Sequence, residues 1–168
     1  MPTGKLIEGS PKPSHSGARD QQTARAGEFY VAAELCRRGA YAVILTGNMP
    51  GVDLLASDVN GESVLQIQVK TKRKGDWHTS KRLLARLEQD HQAIGSEARF
   101  WVFVELSEDV SASPRFWVVP EADVVKIGRK GIAAWKQRNP NSLSDHCAIR
   151  ERNLCAWAGC WRSLPILP

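Results

Sequence analysis

The stretch GVDLLASDVNGESVLQIQVKTK, residues 51–72, contains two short apolar runs separated by a turn-forming segment. The Asn60-Gly61 pair inside it is typical of a β-hairpin turn. If these two residues are the centre of the turn, the pairing register places Asp53 directly opposite Gln68, with their β-carbons about 5 Å apart. The hairpin therefore brings a carboxylate next to an amide.

Side chains along the second strand of this hairpin separate into two faces. Lys70 lies two residues after Gln68 and points to the same side of the sheet, as does Gln66, while the apolar residues between them point to the other side. The hairpin thus gathers an Asp, an amide oxygen and a Lys on one face. The same pattern also fits the solvated face of a half-exposed strand, with Asp53 as a residue of a strand-end turn.

A helix is predicted over residues 20–38, because basic residues occupy its last turn and Gly39 follows directly. Glu28 falls in the middle of an otherwise apolar stripe of this helix, where a carboxylate needs a buried partner. The alternative is an ordinary acid at the edge of the stripe, or a charge that favours the helix N-terminus.

The remaining elements follow from apolar periodicity and turn residues. Strands are predicted over 41–45, 52–57, 63–71, 99–106 and 115–119, and helices over 79–94 and 120–138. The resulting order, α-β-β-β-α-β-β-α, indicates an α/β fold. Large side chains of the later strands, Trp101, Phe103 and Trp117, are assigned to the core.

The length of 168 residues suits one compact domain. Residues 1–18 are rich in Pro, Gly and Ser and are expected to form a flexible N-terminal arm. Residues 19–138 form the predicted domain, and residues 139–168, which lack a clear period, are expected to be a C-terminal extension packed on it.

Composition narrows the class of protein. Apolar residues make up 42% of the chain, and no apolar run approaches the length of a membrane span or of a secretory signal. A cytoplasmic location is therefore expected, and free thiols are expected for the four cysteines because that compartment is reducing. The irregular spacing of the cysteines argues against a zinc site. The net charge of +5 favours an anionic partner.

Two segments together resemble a known superfamily. GVDLL (51–55) followed by QIQVKTK (66–72) resembles the G-x-D … (E/Q)-x-K core of the PD-(D/E)XK nucleases, with Asp53, Gln68 and Lys70 as the matching triad. GEFYVAAELCRRGAYAVILTGN (27–48) resembles the first helix and strand of Holliday-junction resolvase-like and Mrr-like members, in which a helix Glu completes the metal site. Glu28 is the matching residue.

The resemblance, over about residues 24–106, implies a restriction endonuclease-like α-β-β-β-α-β core with a mixed central sheet flanked by helices. It implies that Glu28, Asp53 and Gln68 hold Mg²⁺ or Mn²⁺, since carboxylate and amide oxygens suit these cations. Lys70 would stabilise the attacking hydroxide and the growing phosphate charge. Gln68 departs from the usual Glu or Asp, as in a Q-x-K subgroup that includes Mrr-like enzymes, and removes one anionic ligand.

The function implied is a metal-dependent endonuclease that hydrolyses phosphodiester bonds in DNA, restriction-like or resolvase-like, and a homodimer if both strands are cut. Lys72, Arg73 and Lys74 are expected to hold neighbouring phosphates, unless they form only a solvated basic loop. One alternative is a catalytically weak or inactive nucleic-acid-binding protein on the same fold. Another is an interaction or structural protein whose polar hairpin face is merely exposed.

Overall fold

A computed structural model of the chain describes residues 15–47, 49–93 and 98–168. Three helices and seven strands follow one another as α1 (His15–Arg37), β1 (Tyr41–Ile44), β2 (Leu54–Ser57), β3 (Val64–Lys72), β4 (Trp77–Ser80), α2 (Lys81–Ala93), β5 (Arg99–Glu105), β6 (Arg115–Pro120), α3 (Glu121–Arg138) and β7 (His146–Ile149). None of the helices in these ranges is long and apolar enough to cross a membrane.

Five of the strands form a mixed central sheet in the order β1-β2-β3-β5-β6. β3 and β5 run parallel, and the other neighbours are antiparallel. A parallel pair needs a crossover, which α2 provides. The predicted α/β class, with a mixed sheet flanked by helices, is confirmed, and the α-β-β-β-α-β order holds for α1, α2 and the strands of the central sheet.

The structure corrects the predicted starts of two helices. α1 begins at His15 instead of residue 20, so residues 15–18 of the predicted arm are helical, and residues 1–14 lie outside the described residues. The helix predicted from residue 79 begins only at Lys81, because β4 precedes it and pairs with β7 in a separate two-stranded sheet. β4 and β7 are both too short to show an alternation of apolar residues that would predict a strand, and each is stabilised by pairing with the other.

The β2–β3 hairpin has the register that was predicted. Leu54 pairs with Ile67 and Ser57 pairs with Val64, so one further step places Asp53 opposite Gln68. Register matters here because a slip of one residue would move every side chain to the other face.

The turn of this hairpin is wider than a two-residue turn. Gly61 has a φ of +74°, while Asn60 has a negative φ, which excludes the type I′ geometry expected of an Asn-Gly pair. The Asp58 carboxylate instead accepts a hydrogen bond from the backbone N–H of Glu62 at 2.9 Å. The Asp58 N–H also donates to the Ser63 carbonyl and closes the loop.

Each face of the central sheet is covered by its own apolar cluster. α1 packs Val31 and Leu35 against Ile67 on one face. α2 and α3 cover the other face over a group of aromatic side chains that contains the predicted core residues Trp101, Phe103 and Trp117. The alternation of β5 therefore divides its side chains between the two cores, because Val102 lies in the first cluster and Trp101 and Phe103 lie in the second.

The C-terminal segment contributes to the first of these clusters. Trp161, Leu164 and Ile166 are buried there, and the Arg38 guanidinium lies 5.1 Å from the Trp161 ring. The segment after α3 thus adds β7 to one side of the molecule and apolar side chains to the core on the other.

Candidate active site

Asp53 is held at the start of β2 by the strand that it faces. Its backbone N–H donates to the Ile67 carbonyl at 2.9 Å, which continues the β2–β3 ladder by one residue. Its carboxylate accepts a hydrogen bond from the Val69 N–H at 2.7 Å and another from the side-chain amide of Gln68. These contacts fix the orientation of the carboxylate on the surface of β3.

Gln68 is buried, with 7% of its surface exposed. Its Nε2 donates to Asp53 and, at 3.3 Å, to the Val69 carbonyl. A half-turn of the terminal amide exchanges Nε2 for Oε1 at nearly the same position. The side chain can therefore present either a donor or a carbonyl oxygen beside the Asp53 carboxylate.

Lys70 lies on the same face of β3 as Gln68 and is partly buried. Its Nζ lies 5.9 Å from the centre of the Trp101 ring, so part of its surroundings is apolar. Burial lowers the pKa of Lys70, and the nearby Asp53 carboxylate opposes this change. An ammonium group and a carboxylate thus share a partly desolvated region.

Glu28 reaches the site from α1 and is partly buried. Burial raises the pKa of the Glu28 carboxyl, Arg25 opposes this, and the negative charge of Asp53 raises it further. Arg25 donates to Glu28 at 2.6 Å. The structure therefore brings Asp53, Gln68 and Lys70 to one cleft, while Glu28 lies outside the lining of that cleft, near enough for the charge of Asp53 to affect its pKa.

Burial makes the charged forms of the Glu28 and Asp53 carboxyl groups less favourable. Burial raises the pKa of Asp53, while the Val69 N–H, Lys70 and Arg25 partly offset that effect. Two partly desolvated carboxylates that repel each other are stabilised by a cation placed between them. Two anionic oxygens and an amide oxygen fit Mg²⁺, which keeps several waters and uses one or two carboxylates. Within the described ranges no group of three or more His, Cys, Asp or Glu residues is placed to hold a metal ion, so Gln68 would be the third protein ligand beside the two carboxylates.

An open cleft of about 530 Å³ exposes this site to solvent. One wall is the loop before β2 and the other is the first turns of α2. The residues that line the cleft are Gly47, Met49, Pro50, Gly51, Asp53, Gln68, Lys70, Arg82, Leu83 and Arg86. A polymer can enter a cleft of this kind from the side.

Arg82 and Arg86 were not singled out from the sequence. Both are exposed, one turn apart on α2, and both line the cleft opposite the hairpin. Their i,i+4 spacing beside Leu83 and Leu87 is a signal of a helix with one apolar and one basic side. What the sequence lacked was the packing of α2 across β3, which aims this basic side at Asp53.

Lys72 lies further along β3 and points into the fold. Its Nζ donates to the Gly75 carbonyl at 2.8 Å, lies 3.9 Å from the Glu105 carboxylate and lies 3.9 Å from the centre of the Trp77 ring. Its side chain is 8% exposed. The structure thus does not bring Lys72 to the cleft, because β4 covers the end of β3.

Arg73 and Lys74 follow in the loop after β3, and both are exposed. The Arg73 guanidinium donates to the Thr23 hydroxyl at 3.3 Å and to the Ser107 carbonyl at 3.2 Å. These weak contacts leave its charge at the surface, on the side of the sheet that carries α1.

No protein-family profile matches the chain, and its sequence matches no curated protein. Its structure is similar to that of Hjc, a Holliday junction resolvase from Archaeoglobus fulgidus, with a TM-score of 0.46, 19% identity and coverage of 79% of this chain and 88% of that one. It is also similar to the bacterial homing endonuclease I-Ssp6803I, with a TM-score of 0.46, 12% identity and coverage of 84% and 90%. A similarity of this identity and TM-score supports no functional assignment. The function is therefore inferred from the site residues.

Proposed function

We propose that the chain is a metal-dependent endonuclease that hydrolyses phosphodiester bonds in DNA, with a restriction-like or resolvase-like role. The observation that supports this most directly is the meeting of Asp53, Gln68 and Lys70 at the base of an open cleft, with Glu28 beside them. The motif and spacing in the sequence suggest the same four residues as the metal-binding and catalytic set, and this assignment stays a prediction of the proposal.

Glu28, Asp53 and Gln68 are the residues that would hold Mg²⁺ or Mn²⁺. The bound cation would polarise the phosphate and lower the pKa of a bound water. The contribution of the chain is orientation, because the Val69 N–H fixes Asp53 and Asp53 in turn fixes the Gln68 amide. Arg25 forms an ion pair with the Glu28 carboxylate, so this contact must break or be shared when Mg²⁺ or Mn²⁺ binds there.

Lys70 would supply the positive charge of the reaction. Its ammonium is held near Asp53 in partly desolvated surroundings, where a charge interacts more strongly with a developing oxyanion than it does in water. Its lowered pKa also brings it nearer to the range in which a lysine can exchange a proton.

Basic side chains at the cleft support a polyanionic substrate. Arg82 and Arg86 line one wall, whereas Arg73 and Lys74 are exposed outside the cleft, in the loop after β3. Such side chains position a nucleic-acid backbone without reading its sequence. The homodimer expected from the resemblance stays a prediction of this proposal.

A second candidate is a binding protein on the same fold with little or no catalytic activity. Gln68 favours it, because a neutral amide replaces a third anionic ligand and its Nε2 already bonds to Asp53. The presence of Asp53 and Lys70 in the same cleft, where the charge of each favours the charged form of the other, supports the nuclease over this candidate.

Cleavage of supercoiled plasmid and of a branched DNA tests the proposal, with Mg²⁺, Mn²⁺ or EDTA present. Asp53→Asn and Lys70→Ala should each abolish metal-dependent cutting. Glu62→Gln is the matched control for Asp53→Asn, because it makes the same acid-to-amide change in the exposed turn of the same hairpin. Lys126→Ala, on the exposed side of α3, is the control for Lys70→Ala.

Circular dichroism must show that all four variants are folded. Cutting that survives both site substitutions means that the active site lies elsewhere. A folded wild type that binds DNA but never cuts it supports the binding protein.

A further inference from the structure

A second groove, separate from the active-site cleft, runs between α3 and the β4–β7 sheet and encloses about 610 Å³. We call it the basic groove, because five of the side chains that line it are cationic: Lys81, Lys130, Arg138, Arg150 and Arg152. No acidic side chain lines it in the described part of the chain. Asp76, just outside, pairs with Arg150 at 3.3 Å, and the other four cations face the groove without a lining carboxylate.

Aromatic rings lie among these cations. Trp135 and Trp157 both line the groove and are partly exposed, unlike the buried tryptophans of the sheet. Lys81 places its Nζ 4.0 Å from the centre of the Trp135 ring. His78 and His146 are exposed on the neighbouring strands, with ring centres 6.3 Å apart. The groove therefore offers flat apolar surfaces next to positive charge.

The basic groove and the active-site cleft are each lined by a residue at the start of α2. Lys81 lines the groove, and the next residue, Arg82, lines the cleft. Asp145 fixes this point, because its carbonyl accepts a hydrogen bond from the Lys81 N–H at 2.8 Å and its carboxylate lies 4.0 Å from Arg82. The two cavities are therefore lined by neighbouring residues of the first turn of α2.

We propose that the basic groove binds single-stranded nucleic acid. Its cations would contact the phosphates, and the rings of Trp135 and Trp157 would stack on unpaired bases. Stacking requires bases that are not paired in a duplex, which selects single strands, and carboxylate side chains would gain no stacking from the rings. Binding here requires no cleavage, so this inference goes beyond the proposed function.

Binding of a fluorescein-labelled oligothymidylate of about twelve nucleotides to the full chain in EDTA tests the inference, by anisotropy over a range of salt concentrations. The double substitution Lys130→Gln/Arg138→Gln should weaken binding about tenfold or more. It should also reduce the slope of log K against log salt by about 1.4, since each lost phosphate contact removes about 0.7. Lys126→Gln/Lys136→Gln is the matched control, because it removes two exposed cations of α3 that do not line the groove.

Stacking is tested at Trp135. Trp135→Leu should weaken binding by at least about fivefold, whereas Trp135→Phe, which keeps a flat ring, should retain most of the affinity. Circular dichroism and thermal melting establish that each variant is folded. If Trp135→Leu does not fold, Trp157→Leu and Trp157→Phe provide the same comparison on the other ring.

The inference fails if the control pair weakens binding as much as the groove pair, or if leucine and phenylalanine behave alike. It also fails if polyglutamate of equal charge, or duplex DNA, binds as tightly as the oligothymidylate and responds equally to the groove substitutions. Asp53→Asn separates the two proposals, because it should leave oligonucleotide binding in the groove intact. If the groove substitutions do not change oligonucleotide binding, the proposal of metal-dependent cleavage still stands. If the protein does not cleave DNA, the proposal of oligonucleotide binding in the basic groove still stands.

Discussion

The Asp53 carboxylate is held in one orientation, and its partial burial makes its negative charge unfavourable. Burial raises its pKa, so the folded protein binds a proton on Asp53 more tightly than the unfolded chain does. Stability should therefore fall as pH rises from the ordinary aspartate range through the raised pKa, and the full cost is present above it. Asp53→Asn should remove this cost and stabilise the metal-free protein at neutral pH by roughly 0.5 kcal/mol or more.

Urea unfolding of wild type and Asp53→Asn over about pH 4 to 8 measures this difference. An amide at position 53 can still accept from the Val69 N–H, so the geometry is kept. Glu62→Gln should show neither the gain nor the change in pH dependence. A destabilised Asp53→Asn protein would mean that the ionised carboxylate is a net stabilising group.

The pH dependence of cleavage follows from the same shifts. Burial raises the pKa of both Glu28 and Asp53, so the acid limb should lie above the ordinary carboxyl range, because both groups must be ionised to hold a cation. Burial lowers the pKa of Lys70, so the alkaline limb should lie below the ordinary lysine range if its charge is needed. Single-turnover rates at constant metal concentration measure both limbs, and an alkaline limb at the ordinary lysine range would contradict the role of Lys70.

Lys72 and Lys74 should have different roles, because one is buried in the fold and the other is exposed. Lys72 is buried on the Trp77 ring and pairs with Glu105, so Lys72→Ala should lower the free energy of unfolding by about 3 kcal/mol. Lys74 is exposed, and Lys74→Ala should leave stability unchanged while weakening DNA binding and reducing its salt dependence. Chemical denaturation and salt titrations of DNA binding distinguish the two, and the reverse pattern would place Lys72 on the DNA.

At the scale of elements, the position of Glu28 depends on how closely α1 approaches β3. A β-carbon added at Gly27 would overlap the Thr71 side chain, so the helix can lie this close only with glycine there. Gly27→Ala should push α1 away from β3, cost about 1–3 kcal/mol and reduce cleavage by moving Glu28 from Asp53.

Gly131→Ala in α3 is the matched comparison. A β-carbon there meets only the Ala148 carbonyl, at 3.9 Å, so the change should stabilise the protein by about 0.5–1 kcal/mol through helix propensity. Thermal unfolding of both variants, with cleavage rates of Gly27→Ala, measures the effect. Equal behaviour of the two variants would show that α1 can shift without consequence.

The sequence determined some of these elements and not others for a physical reason. The β2–β3 register could be counted from the short segment around Asn60-Gly61, because a hairpin pairs residues that are close along the chain. The β4–β7 sheet pairs Trp77 with Ile149, and nothing local in either strand indicates a partner that distant. For the same reason, the sequence does not indicate that Arg82 and Arg86 belong to the site, because their position relative to Asp53 depends on how α2 packs.

At the scale of the whole molecule, metal binding and folding should be linked. Glu28 and Asp53 lie on different elements and meet only in the folded state, so the unfolded chain offers no preformed site. Free Mg²⁺ or Mn²⁺ at about a hundred times its dissociation constant should therefore stabilise the protein by about 2.7 kcal/mol. The gain also includes relief of the repulsion between the two partly buried carboxylates.

Thermal melting at increasing metal concentration measures this linkage without any substrate. The wild type should show a melting temperature that rises with the logarithm of metal concentration, while Asp53→Asn and Glu28→Gln should start higher and respond little. Glu62→Gln should follow the wild type, because its carboxylate is exposed and distant from Asp53 in the turn. An equal response in all four proteins would show that the cation binds somewhere else and that the carboxylates of the cleft do not hold it.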